Sequence, residues 1–82
     1  MTKVAKIEAR ARIAPQSISF VEAVALATAH FGEPRQRGGS HVVFKTPWQG
    51  DPRINLQDKN GSAKPYQVRQ LVKAIDQLKE SS

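Results

Sequence analysis

The residue of this chain best suited to proton transfer is His41, which ends the run Arg35-Gln36-Arg37-Gly38-Gly39-Ser40-His41. Histidine has an unperturbed pKa of ~6.5, so its imidazole can gain or lose a proton near neutral pH. Cleavage of RNA by its own 2′-hydroxyl requires a group that takes the hydroxyl proton and cations that stabilise the charged phosphorane. A single histidine in a basic groove meets that requirement. From spacing alone, a polar residue at the exposed start of a strand is the simpler interpretation of His41.

Basic residues on both sides of this histidine supply candidate contacts to phosphate. The chain has 13 Lys and Arg against seven Asp and Glu, and this net charge of +6 favours a polyanionic partner such as RNA or DNA. The surplus lies in residues 1–14 and 33–64, whereas residues 15–32 contain Glu22 as their single Asp, Glu, Lys or Arg. The candidate nucleic-acid-binding residues are Arg35, Arg37, Gly39, Ser40, Lys45, Arg53, Lys59 and Lys64.

The available residues disfavour several other kinds of site. The chain has no cysteine and only two histidines, so we expect no metal site and no cofactor. Its carboxylates form no pair at helical or strand spacing, and no glycine-rich phosphate loop occurs. His30 lies near the end of a predicted helix, where a capping or surface role is simpler than a second catalytic acid. Trp48 and Tyr66 could each stack on a base or cover the rim of the core.

Three helices are predicted around the candidate residues. Residues 2–14 form a weakly amphipathic, basic segment that Pro15 ends, either as a helix or as a frayed arm. Ser19 and Glu22 form a capping box at the start of a helix that runs from Phe20 to Phe31 and ends at Gly32. Pro65 suits the first turn of the last helix. The apolar stripe of that helix is Val68, Leu71, Val72, Ile75 and Leu78.

Between the second and third helices the pattern alternates as in strands. Strands are predicted at 33–37, 41–46 and 53–57, with a loop at 58–62. The order helix, three antiparallel strands, helix predicts an α+β domain whose two main helices cover one face of the sheet. The other face then lies open to water. It is expected to display His41, Lys45, Arg53, Asn55 and Gln57.

The chain resembles the HicA-type toxins, the RNA-cleaving halves of bacterial toxin–antitoxin pairs. The resemblance rests on Arg37-Gly38-Gly39-Ser40-His41-Val42-Val43-Phe44, on the strand Arg53-Ile54-Asn55-Leu56-Gln57 and on Ala63-Lys64-Pro65-Tyr66-Gln67-Val68-Arg69-Gln70-Leu71. It covers roughly residues 17–78. The resemblance implies a fold like that of the double-stranded-RNA-binding domain, His41 as the catalytic residue and metal-independent cleavage of messenger RNA. It also implies a protein partner, the cognate HicB antitoxin.

These observations predict a basic N-terminal segment at residues 1–15 and a single RNA-binding and RNA-cleaving domain at residues 16–82. The first residues do not resemble a secretory signal, and no apolar run is long enough for a membrane span, so we expect a cytoplasmic protein without a membrane partner. Two alternatives remain open. One is a non-catalytic module that binds double-stranded RNA. The other is a small interaction protein whose positive face binds an acidic partner.

Overall fold

The computed structural model describes residues 3–48, 50 and 53–80, apart from the side chains of Gln36 and Arg37. The chain is an α+β protein with three α-helices and an antiparallel sheet. The elements, in chain order, are α1 (Lys3–Ile13), a short 3-10 helix (Pro15–Ser17), α2 (Phe20–Phe31), β1 (Gln36–Gly38), β2 (His41–Lys45), β3 (Arg53–Lys59), β4 (Ser62–Ala63) and α3 (Pro65–Glu80).

Helix α2 begins and ends at the residues that its local sequence predicts. The Ser19 hydroxyl accepts a hydrogen bond from the Glu22 backbone N–H, and the Glu22 carboxylate accepts one from the Ser19 N–H, which completes the capping box. Gly32 follows the helix with a φ of 83°, a conformation that glycine adopts without a side-chain clash. The buried centre of the helix is Ala23, Leu26 and Ala27.

One continuous core lies between the helices and one face of the sheet. Phe44 of β2 and Leu56 of β3 are fully buried in it, together with Leu71 and Ile75 of α3. The sequence spacing of α2 predicts an apolar stripe of Phe20, Val24, Ala27 and Phe31, but only Ala27 of these is fully buried. Phe20, Val24 and Phe31 are partly buried at the margin of this core.

Helix α1 packs on α2 and α3 and contributes to the same core. Ile7 and Ala11 are buried there, whereas Ile13 on the same helix is 86% exposed. Ion pairs also hold α1 in place: Arg12 contacts Asp76 of α3 through two hydrogen bonds of 2.9 and 2.6 Å, and Arg10 pairs with Glu22 of α2. Within the described chain, α1 is therefore a packed helix rather than a frayed arm.

The sheet has the strand order β1-β2-β3-β4, with every neighbouring pair antiparallel. In the central pair, His41 lies opposite Gln57 and Lys45 lies opposite Arg53. Because paired residues share a face, His41, Lys45, Arg53 and Gln57 all lie on the face away from Phe44 and Leu56. This face is called the open face below.

Several strand boundaries differ from those predicted, including the end of β2, which lies at Lys45 rather than at residue 46. Strand β1 begins at Gln36 rather than at residue 33, since Pro34 and the residues beside it lie outside the strand pairing. The predicted loop at 58–62 is instead a hairpin, in which β3 continues to Lys59 and Ser62–Ala63 form β4. Asn60 and Gly61 connect these strands with φ values of 54° and 88°. That conformation is typical of the two-residue Asn-Gly hairpin turn.

None of the helices in the described part of the chain is both long enough and apolar enough to cross a bilayer.

Candidate functional site

The β1–β2 hairpin places His41 at one end of the open face. Gly39 and Ser40 form its two-residue turn, and Gly39 has a positive φ of 54° that suits glycine. The Asp58 backbone N–H donates to the Ser40 carbonyl over 2.8 Å, which joins this turn to β3. The His41 side chain is exposed. Among the described residues, none forms a hydrogen bond or ion pair with its imidazole.

Two of the candidate lysines lie at the same end of the sheet as His41. Lys59 is on the open face, two residues beyond Gln57. Lys64 follows β4, so it lies about two strand spacings, or roughly 10 Å, from the β2 strand. Both lysines line a cleft of about 480 Å³, together with Gln16, Ser62, Ala63, Pro65 and Tyr66. The structure therefore brings Gly39, Ser40, His41, Lys59 and Lys64 to one end of the molecule, which is called the His41 end below.

The remaining candidate cations lie elsewhere. Lys45 and Arg53 form a cross-strand pair four residues along β2 from His41, which corresponds to roughly 13 Å. Arg35 precedes β1, and its backbone N–H donates to the Val43 carbonyl over 2.8 Å. Arg37 belongs to β1, but its side chain lies outside the part of the structure that is described. The eight candidate nucleic-acid-binding residues thus do not form a single cluster.

Sequence reasoning overlooked Gln67, which lies next to this site. Gln67 is only 4% exposed, and its Oε1 accepts a hydrogen bond of 2.9 Å from the Gln57 backbone N–H. Its Nε2 donates to Gln57 Oε1 over 3.3 Å and approaches the Tyr66 hydroxyl at 3.5 Å. A signal was present, because a glutamine four residues before Leu71 lies on the apolar side of a helix.

The other histidine belongs to a separate ionic cluster. His30 Nε2 lies 2.9 Å from Glu8 Oε1, and Lys79 Nζ and Arg12 donate to Glu8 Oε2 over 2.6 and 3.2 Å. These contacts, and the Lys79 hydrogen bond most of all, lower the pKa of Glu8 from 4.5 to about 2 although burial opposes the change. His30 therefore holds α1 to α2.

The ring of Trp48 packs edge-on against Phe31, with the ring centroids 6.1 Å apart. Trp48 therefore covers the rim of the core.

The arrangement at the His41 end is suited to proton transfer next to a bound anion. Among the described residues, no group of three or more His, Cys, Asp or Glu side chains lies close enough together to hold a metal ion. The donors present are an exposed imidazole, two lysine ammonium groups and the side-chain amide of Gln57. Such groups can bind a phosphate and accept a proton from a neighbouring hydroxyl.

No family model, no curated protein and no solved structure matches this chain.

Proposed function

We propose that this protein is the toxin of a HicAB-type toxin–antitoxin pair, a cytoplasmic endoribonuclease that cleaves messenger RNA without a metal. The observation that carries the proposal is the exposed imidazole of His41 at one end of the sheet, the same end at which Lys59 and Lys64 lie. The motif around His41 and the element order over residues 17–78 support it further. The finer fold assignment, similarity to the double-stranded-RNA-binding domain, belongs to the same proposal.

In the proposed reaction, His41 acts on the 2′-hydroxyl of the nucleotide that precedes the scissile bond. The neutral imidazole takes the hydroxyl proton while the 2′-oxygen forms a bond to phosphorus. The bond from phosphorus to the 5′-oxygen breaks, and that oxygen takes a proton from water. The products are a 2′,3′-cyclic phosphate and a 5′-hydroxyl end, and His41 returns its proton to solvent. The imidazole of His41 is therefore neutral again at the end of each catalytic cycle.

The cations have two proposed roles because they lie in two places. Lys59 and Lys64 bind the phosphates nearest to His41 and favour the negative charge that develops on the reacting phosphate. Lys45 and Arg53, roughly 13 Å along the open face, hold the RNA backbone further away. Arg35 and Arg37 join Lys45 and Arg53 in this second role and also contact the RNA backbone. The glycine of the Gly39-Ser40 turn lets the RNA backbone approach closely, since it has no side chain.

The proposed protein partner is the cognate HicB antitoxin, which would cover the open face and so keep RNA from His41. Induced expression in a bacterial host tests the toxin assignment. Growth arrest and loss of intact messenger RNA are expected with the wild type, and neither with His41→Ala. Coexpression of the antitoxin gene should restore growth. Arrest by both variants would contradict the role of His41, and arrest by neither would contradict the toxin assignment.

A non-catalytic double-stranded-RNA-binding module is the second candidate, and one observation favours it. Catalytic imidazoles are usually oriented by a hydrogen bond to the second ring nitrogen, and none of the described residues supplies one to His41. This alternative predicts salt-sensitive binding that survives His41→Ala. It also predicts that duplex RNA competes better than single-stranded RNA, and that no cleavage occurs.

A further inference from the structure

The hydrogen bonds around Gln67 fix the orientation of two side-chain amides. A backbone N–H can only donate, so the atom of Gln67 that lies 2.9 Å from the Gln57 nitrogen must be its oxygen. The Gln67 nitrogen is then the atom that faces the Gln57 side chain, 3.3 Å from it. Because that nitrogen is a donor, the atom of Gln57 that it meets must be an oxygen. The nitrogen of the Gln57 amide is therefore left pointing away from Gln67.

Strand pairing places Gln57 beside His41. The two residues are cross-strand partners, and the Gln57 N–H is directed away from β2 because it binds Gln67. They consequently form a pair without backbone hydrogen bonds, the kind in which side chains lie closest, with Cβ atoms about 4.5–5.5 Å apart. Both side chains lie on the open face. Among the described residues, none accepts a hydrogen bond from the Gln57 Nε2.

We propose that Gln57 is a second catalytic residue of the His41 site and that buried Gln67 is the residue that positions it. The inference rests on the proposed ribonuclease function. Gln57 Nε2 donates a hydrogen bond to a non-bridging oxygen of the scissile phosphate, where negative charge grows as the 2′-oxygen attacks. His41 takes the 2′-hydroxyl proton on the neighbouring strand. Gln67 keeps the donor end of the Gln57 amide turned towards the substrate.

Three substitutions separate this role from a structural one. Gln57→Ala removes the donor. Gln57→Glu keeps an oxygen for Gln67 to bind but presents a carboxylate to the phosphate. Gln67→Glu still accepts from the Gln57 N–H but can no longer donate, so the Gln57 amide turns its nitrogen inwards and its oxygen outwards. Asn55→Ala is the matched control, because Asn55 is an exposed amide on the same strand and the same face.

The measurements are the single-turnover cleavage rate of an RNA oligonucleotide at saturating protein and the Kd of its uncleavable 2′-deoxy analogue. We expect Gln57→Ala and Gln57→Glu to lower the rate by about 10²–10³-fold, the usual loss when one such donor is removed. Gln57→Ala should change the Kd by less than about threefold, since the donor acts mainly in the transition state. Asn55→Ala should leave the rate within about threefold of the wild type.

The positioning role of Gln67 has its own test, a double-mutant cycle. Gln67→Glu should slow cleavage in the wild-type background and have no further effect in Gln57→Ala, because residues that act as a unit are not additive. Melting curves establish that each variant is folded. If Gln67→Glu does not fold, the two Gln57 variants still decide the catalytic assignment.

The outcomes distinguish this inference from the function on which it rests. If the wild type cleaves, His41→Ala does not and Gln57→Glu cleaves like the wild type, then the role of Gln57 is wrong while the ribonuclease proposal stands. A Gln67→Glu effect that persists in full in Gln57→Ala would contradict the positioning role. A folded wild type that cleaves no RNA would contradict both proposals.

Discussion

At the scale of single residues, the best-connected charged group of the described chain is the carboxylate of Glu8. It is 15% exposed and joins α1 to both other helices through His30 and Lys79. Its pKa is lowered to about 2, chiefly by the Lys79 hydrogen bond. A carboxylate with a lowered pKa stabilises the folded state above its unfolded pKa, and this stabilisation is lost as the pH falls through the folded value. For Glu8 the relevant window runs from about pH 5 to about pH 2.

Glu8→Gln should therefore lower the free energy of unfolding at pH 7 by about 1–2 kcal/mol. This is less than the full pKa shift implies, because the Arg12 and Lys79 side chains are 36% and 53% exposed and solvent screens their charges. The deficit relative to the wild type should shrink as the pH falls towards 2. Urea unfolding at several pH values measures it. Glu33→Gln, at an exposed carboxylate, is the control and should stay within about 0.5 kcal/mol of the wild type at every pH. A deficit for Glu8→Gln that does not change with pH would contradict the account.

Some parts of the candidate site could be predicted from the sequence and others could not. The glycine pair Gly38-Gly39 and the alternation that follows it are local signals that predict a turn just before His41. The structure forms that turn one residue later, at Gly39-Ser40, because Gly38 belongs to β1 and pairs with His41. The division of the cations into two groups could not be predicted, because it depends on the strand register. That register places Lys45 and Lys59 at different ends of the sheet. The burial of Gln67 could have been predicted from its position four residues before Leu71, but its partner could not, because nothing local in the sequence indicates the edge of β3.

At the scale of elements, the predictable parts were those determined by neighbouring residues. The capping box of α2 and the glycine after it set both helix ends through hydrogen bonds within a few residues. The β3–β4 hairpin was mistaken for a loop although Asn60-Gly61 is a strong hairpin signal. Strand β4 has only two residues, too few for an alternating pattern to be recognised.

Helix α1 provides a direct test of its packing, because it carries two isoleucines in opposite environments. Ile7 is 3% exposed and Ile13 is 86% exposed. Ile7→Ala should lower the free energy of unfolding by about 2–5 kcal/mol, since it removes apolar contacts and leaves a cavity. Ile13→Ala should change it by less than about 0.5 kcal/mol. Denaturant unfolding of both variants checks this, and equal effects would mean that α1 does not dock as described.

At the scale of the whole molecule, the acidic residues are distributed unevenly. Three of the seven, Glu8, Glu22 and Asp76, are engaged in ion pairs between α1 and the other helices. Their Arg and Lys partners are neutralised there, whereas Lys59 and Lys64 lie at the His41 end. The net charge of +6 is divided evenly, with +3 in residues 1–32 and 65–82 and +3 in residues 33–64. Within the described part of the chain, Lys59 and Lys64 form no ion pair, so their charge is available to a polyanion.

This distribution predicts how the salt dependence of RNA binding responds to substitution. Replacing both Lys59 and Lys64 by Ala should reduce the slope of log K against log salt by about 1.4 for single-stranded RNA, because each phosphate contact contributes about 0.7. Lys73→Ala, at an exposed position in the middle of α3, should leave the slope unchanged. Titrations of an RNA oligonucleotide at several salt concentrations measure both. An unchanged slope for the Lys59 and Lys64 variant would place the RNA elsewhere.

The most direct test of the central claim is cleavage of RNA by the purified protein in the presence of a metal chelator, with the wild type compared to His41→Ala and Asn55→Ala. The wild type and Asn55→Ala are expected to cut the RNA and leave 2′,3′-cyclic phosphate ends. His41→Ala is expected to be folded and to cut at least about 10²-fold more slowly, as when a general base is removed. Cleavage by His41→Ala at the wild-type rate, or none by a folded wild type, would contradict the proposed role of His41 in RNA cleavage.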